Sequence, residues 1–158
     1  MKLFGLLLLL LGAFFVSREY SRYMRKRLAE CEGFLSFIKY MRRQVHCFLR
    51  SPSEIGRDFE GEAIAPFLSE LRREESLSSA YLSSVESFSL SQEEREVLSE
   101  LFTSIGSCYA DEGVRLLDAA LERLSELHGE LSEGSKKNTR LVATLSSAFA
   151  VGVFILVI

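Results

Sequence analysis

The run Leu141–Ile158, "LVATLSSAFAVGVFILVI", contains no charged side chain. As a helix rising ~1.5 Å per residue it would cover about 27 Å, close to the hydrocarbon thickness of a bilayer. A folded domain in water could not leave such a stretch exposed, so it is expected to span a membrane. The opening "MKLFGLLLLLLGAFFVS" raises the same problem over a shorter length. By length alone, Leu3–Val16 suits a signal-peptide core, a short span or a buried helix. Three features favour a retained span. Phe14 and Phe15 stand where a cleavage site would need small residues, Tyr20 and Tyr23 suit the membrane interface, and Arg18 and Arg22 can snorkel to it. A cleaved leader with a mature start near Ser17 is the rival expectation.

Charge then sets an orientation. Arg18, Arg22, Arg25, Lys26 and Arg27 follow the first apolar run, and Lys136, Lys137 and Arg140 precede the second. The positive-inside bias places the middle of the chain in the cytoplasm and both termini outside. The expected divisions are a transmembrane segment at 1–17, a cytoplasmic helical-bundle domain at 18–135 and a transmembrane segment at 136–158. Thr144, Ala148 and Gly152 recur every four residues, which gives the second span a stripe of small side chains that lets another helix approach closely. Gly5 and Gly12 notch the first span, its natural partner.

Between these ends the apolar period is helical throughout. Met24, Leu28, Cys31, Leu35, Ile38, Val45 and Leu49 keep a 3–4 spacing broken by Arg42, which predicts one long helix reaching about Arg50. Ser51-Pro52-Ser53-Glu54 has the form of a capping box with proline in the first turn, opening a short helix to about Glu60. Gly61 breaks it, and Pro66 opens the next, to about Glu74, with Ile64, Phe67, Leu68 and Leu71 inward. The serine-rich stretch 76–91 reads as a helix with Leu77, Tyr81, Val85 and Phe88 on one face; a phosphorylated or flexible linker is the alternative. Ser91-Gln92-Glu93-Glu94 is a second capping box, before a helix carrying Val97, Leu98, Leu101, Phe102, Ile105, Cys108 and Tyr109 and ending near Ala110. Asp111 is expected to cap the last cytoplasmic helix, whose seam is Val114, Leu117, Leu121, Leu124 and Leu131. Whether that seam packs within one chain or between two copies is open, so self-association belongs among the expected contacts. No segment reads as a strand. The expected fold is all-α: an antiparallel helical bundle flanked by an N-terminal and a C-terminal transmembrane helix.

No catalytic constellation emerges. There is no phosphate-binding glycine loop, HExxH, GxSxG or paired Cys/His spacing, so neither an enzyme, a metal site nor a cofactor is expected. His46 and Cys47 are consecutive on a helix and point about 100° apart, which is poor geometry for a base and its nucleophile. Three cysteines without a CxxC pair suit small buried hydrophobes in a reducing compartment. A net charge of −3, with glutamates in the middle, argues against nucleic acid as a partner. Glu94, Glu96 and Glu100, with Glu122, Glu126 and Glu130, recur at helical surface spacing. They read as a solvated face or, functionally, as a contact surface for a basic partner.

The order of features resembles the stage III sporulation protein AB family. "LFGLLLLLLGAFF", the basic exit "YMRKRLAECEGFLSFIKYMRRQV", the break "SPSEIGRDF", "LSELFTSIGSCYADEGVRLLDAALERL" and the closing "KKNTRLVATLSSAFAVGVFILVI" follow its layout across nearly the whole chain. At the family's turn before the last helix, Leu101, Ile105 and Gly106 match, whereas Phe102 replaces a glycine and Cys108-Tyr109 replace Ser-Asp. The resemblance implies a cytoplasmic domain similar to the platform protein of type II secretion and type IV pilus machines. It further implies a place in the mother-cell membrane around the forespore, with a secretion-type sporulation ATPase and other stage III channel subunits as partners. The competing expectation, from another class, is a membrane-tethered helical adaptor or sensor unrelated to transport.

Overall fold

The computed structural model describes the backbone of residues 2–47, 51–74, 76–107 and 110–157, and the side chains of 15, 17–44, 51–74, 76–106, 111–137, 141 and 144. Six α-helices follow one another: α1 (Lys2–Cys47), α2 (Pro52–Arg57), α3 (Ala65–Leu71), α4 (Leu77–Ser84), α5 (Gln92–Ser104) and α6 (Ala110–Val157). Single 3₁₀ turns at Glu62–Ile64, Val85–Ser87 and Ile105–Ser107 connect some of them, and the described residues contain no strand. The chain is all-α, as its periodicity predicts.

The helix starts follow local chemistry. Ser51 caps α2: its hydroxyl accepts from the Glu54 amide, and its own amide donates to the Glu54 carboxylate, both at 3.3 Å. Ser91 repeats the device on α5 at 3.2 and 2.6 Å. Each box satisfies backbone donors that a helix start leaves orphaned. Asp111 differs from expectation. α6 begins at Ala110, so Asp111 lies inside its first turn, where a carboxylate complements the positive end of the helix dipole rather than capping it.

Four helices end earlier than expected: α5 stops at Ser104 rather than near Ala110, and the other three each stop for a visible reason. α2 stops at Arg57 because Phe59 leaves the helix to pack edge-on against Phe37, ring centres 5.3 Å apart. α3 stops at Leu71, where Arg57 donates to the carbonyls of Leu71 at 3.1 Å and Glu74 at 2.8 Å. α4 stops at Ser84, whose hydroxyl turns back to the Ala80 carbonyl at 2.8 Å, an alternative to continuing the helix. Phe88, expected on the α4 face, is buried from extended backbone instead.

Residues 26–129 form one compact unit, and its core is aromatic. Phe34 and Phe37 from α1, Phe67 from α3, Tyr81 from α4 and Phe102 from α5 are all buried. Phe67 and Phe102 stack 5.2 Å apart, while Phe34 meets Phe88 edge-on at 5.2 Å. Such pairs add roughly 0.5–1.5 kcal/mol each to the burial of their area. Phe102, the departure from the family's turn, is thus a core residue. Close approaches fall at glycines: a Cβ on Gly33 of α1 would lie 2.9 Å from Ile64, and one on Gly56 of α2 would lie 2.8 Å from Leu71 of α3 and 3.1 Å from Phe37 of α1. Leu117 and Leu124 bring α6 into the same core, with Val114 and Leu121 half-buried beside them.

The stretches 1–25 and 130–158 group into a second compact unit. These boundaries fall inside α1 and α6. Among the described residues no helix is long and apolar enough to cross a membrane. Residues 1–14 and 145–158, the hearts of the two expected spans, lie outside the described side chains, as do Cys47 and Cys108. Cys31 is buried and free, as expected.

Candidate interaction surface

The six glutamates singled out in the sequence do not form one surface. Glu96 and Glu100 are exposed on α5, together with Glu93; Glu122 and Glu126 are exposed on α6 within the same unit. Glu130 is exposed but belongs to the second unit.

Glu94 is a correction. It is fully buried, so it cannot belong to a contact face. Its Oε2 accepts from Arg27 Nε at 3.0 Å and from the Ser91 amide at 2.6 Å, while Oε1 has no hydrogen-bond partner among the described residues. The physical reason is the capping box: folding back on Ser91 turns the side chain away from water and toward α1. Arg27, expected among the membrane-flanking cations, makes the ion pair with this buried carboxylate.

Around this pair lies a polar clasp that the sequence reading missed. Glu30, nearly as buried, accepts from the Ser89 amide at 2.7 Å, and Lys26 lies 3.5 Å from Glu30 and from the Ser87 carbonyl. α1 thereby grips the turn between α4 and α5 through Lys26 and Glu30, and the start of α5 through Arg27. One signal was available: Glu30 precedes Phe34 by four residues and Phe37 by seven, on the buried stripe. Burial and the nearby Glu94 charge push the Cys31 thiol up to about 12, so it stays protonated at neutral pH and behaves as an apolar side chain. Burial likewise raises the Tyr81 phenol, whose hydroxyl donates to the Arg95 carbonyl at 3.4 Å.

Two openings flank α6 within residues 26–129. Between α5 and α6 runs a groove of about 210 Å³, floored by Val97, Leu101, Leu116, Ala119 and Ala120, with Glu100 and Arg123 at its rim. On the α1 side Lys39, Arg42, Arg43, Asp118 and Leu121 line a broader depression of about 460 Å³. There Arg42 grips Asp118 through two nitrogens, one contact at 3.1 Å, and holds the Asp118 carboxyl below the usual carboxylate range. The interruption that Arg42 makes in the apolar stripe is therefore a cross-link from α1 to α6.

Of the expected membrane-flanking cations, Arg18, Arg22 and Arg25 are exposed on α1, with Arg22 3.3 Å from Glu19, and Lys136 and Lys137 are exposed on α6. Thr144 is exposed. Gly5, Gly12, Arg140, Ala148 and Gly152 fall outside the described side chains, so the proposed packing stripe is not on view. Among the described residues no group of His, Cys, Asp and Glu could hold a metal ion.

No curated protein and no solved structure matches the chain. The family model of stage III sporulation protein AB matches residues 2–158. Aromatic core, capped short helices and two long terminal helices all lie inside that match, and the chain belongs to the stage III sporulation protein AB family, with a role in sporulation.

Proposed function

We propose that the protein is a non-enzymatic platform of a channel-like sporulation complex. Both ends sit in the mother-cell membrane around the forespore, and the bundle faces the cytoplasm. A secretion-type ATPase engages the bundle, and other stage III channel subunits meet the membrane ends.

One observation carries this reading. α1 and α6, which supply much of the bundle core, are the same helices that contain the two apolar ends. A force or tilt applied to the bundle is therefore delivered to the membrane ends through unbroken helical backbone, as a coupling element requires. Exposed Phe15, Tyr20 and Tyr23 beside Arg18 and Arg22 support a membrane interface at that level. Family membership supplies the sporulation setting.

The test is photocrosslinking of the full chain in its sporulating host, with reactive residues at Glu96, Glu126 and Ala148. Capture of the ATPase through a cytoplasmic position and of channel subunits through Ala148 supports the platform. Capture of unrelated cytoplasmic regulators alone overturns it in favour of the tethered adaptor.

A further inference from the structure

Charge divides between the two units. Residues 26–129 hold nineteen Asp and Glu against twelve Lys and Arg, whereas residues 1–25 and 130–158 hold three Glu against seven Lys and Arg. The bundle unit is therefore acidic, and the unit of the apolar ends is basic. In that second unit Arg22 lies 3.3 Å from Glu19, and Arg25 Nε donates to the Ser21 carbonyl at 3.2 Å. Arg18, Lys136 and Lys137 are exposed and, among the described residues, form no ion pair.

Helical period sets an apolar neighbour beside one unpaired cation on each helix. At 100° per residue, Phe15 and Arg18 are about 60° apart on α1, and Lys137 and Leu141 about 40° apart on α6. Phe15 is 61% exposed and Leu141 59%. On both helices the apolar group lies about one turn nearer the apolar end than the cation. The heights agree as well. Arg18 is seven residues along α1 from Arg25, and Lys137 is seven along α6 from Glu130, the residues at which this unit begins. Both cations therefore stand about 10 Å from that edge, and Phe15 and Leu141 about 16 Å from it.

We infer that Arg18 and Lys137 hold the headgroups of anionic phospholipids, whose first acyl carbons lie on Phe15 and Leu141. This rests on the platform reading for the membrane itself and adds the class of lipid and the residues that select it.

The occupant follows from the two-part chemistry of the surface. A free phosphate or an acidic peptide would satisfy the cations but leave Phe15 and Leu141 in water. A zwitterionic lipid would cover the apolar groups but bring a cation of its own toward Arg18 and Lys137. An anionic phospholipid meets both demands: its phosphate accepts charge-assisted hydrogen bonds, and the aliphatic stems of the two side chains lie along the apolar boundary. Each cation near an anionic leaflet favours binding about fivefold, while the acidic bundle gains nothing from the same surface.

The experiment reconstitutes the full-length chain in phosphatidylcholine vesicles carrying a trace of photoreactive phosphatidylglycerol or, in parallel, photoreactive phosphatidylcholine. The vesicles are floated on a density gradient and the label is mapped by peptide. Phosphatidylglycerol is expected to label peptides covering 15–18 and 137–141 at least about fivefold more than phosphatidylcholine does. Arg18→Gln with Lys137→Gln should remove that preference, and Arg18→Lys with Lys137→Arg should keep it. Lys39→Gln with Arg43→Gln, exposed cations of the acidic unit, should leave it unchanged. Inorganic phosphate added at constant ionic strength should not compete. Equal labelling by the two lipids, a preference that survives the Arg18→Gln and Lys137→Gln pair or is lost with the Lys39 and Arg43 pair, or competition by phosphate overturns the inference. A chain that floats with the vesicles without preference sinks the lipid selection alone, whereas a chain that fails to float sinks the platform reading with it.

Discussion

The same residue types meet opposite fates in the two units that α1 traverses. At residues 26–129, Phe34 and Phe37 have no exposed surface, because α3, α4 and α5 fold over them. Within residues 1–25, Phe15 is 61% exposed and Tyr20 and Tyr23 nearly half, and Leu141 on α6 is 59% exposed. In the bundle, the chain buries its own aromatics; among the described residues of the ends, these large side chains stay exposed. A hydrophobic residue therefore stabilises the bundle internally, but at the ends it contributes through whatever surrounds the protein, which the platform reading takes to be lipid and neighbouring helices.

The sharpest way to break that contrast is a matched pair of truncations. Phe34→Ala removes a ring that contacts Phe67, Tyr81, Phe88 and Phe102, and should cost about 4 kcal/mol in thermal or denaturant unfolding of the bundle. Phe15→Ala should leave that transition within about 0.5 kcal/mol and weaken membrane retention instead. Equal losses from both would erase the distinction between the regions.

Next in size is the clasp. Arg27→Ala abandons the fully buried Glu94, and a cost of about 3 kcal/mol is expected from chemical unfolding. Arg22→Ala, five residues nearer the N-terminus on an exposed pair, should change bundle stability by less than about 0.5 kcal/mol. A negligible effect of Arg27→Ala would show that the pair adds nothing to the bundle. Ser91→Ala follows, with about 1 kcal/mol lost from α5 and its turn and the largest rise in amide exchange expected near 91–95.

The smallest effect at neutral pH concerns Cys31. Its thiol pKa is raised by folding, so the unfolded chain loses that proton first as pH climbs. Stability from this group is intact below about 9, its ordinary value, and drains away as pH rises toward about 12. Peptide mapping after alkylation at pH 8 should find Cys31 unmodified in the folded protein and modified after denaturation.

Much of this was legible in advance. Both capping boxes, the buried set Ile64, Phe67, Leu68 and Leu71, and the all-helical class follow from short-range rules in which a residue's neighbours decide its state. What was not legible depends on partners distant in sequence. Nothing local to Arg57 announces that it will end α3 fourteen residues later, and nothing local to Glu94 says that its cap faces Arg27, 67 residues earlier. Counting glutamates at surface spacing could not separate Glu94 from Glu96, since helical period alone locates a face and only the packed neighbours say what covers it. Phe102 shows the converse: a departure from a family turn, obscure in sequence, becomes plain once it stacks on Phe67.

The central claim is that the N-terminal end of α1 and the C-terminal end of α6 are held in a membrane while the bundle stands in the cytoplasm. The direct measurement is alkaline carbonate extraction of membranes from sporulating cells making the full chain, followed by protease added to the cytoplasmic face. The account predicts retention in the membrane pellet, cleavage within residues 26–129 and protection of short tags at both termini. Release into the supernatant, or a terminal tag cleaved from the cytoplasmic face, would contradict it.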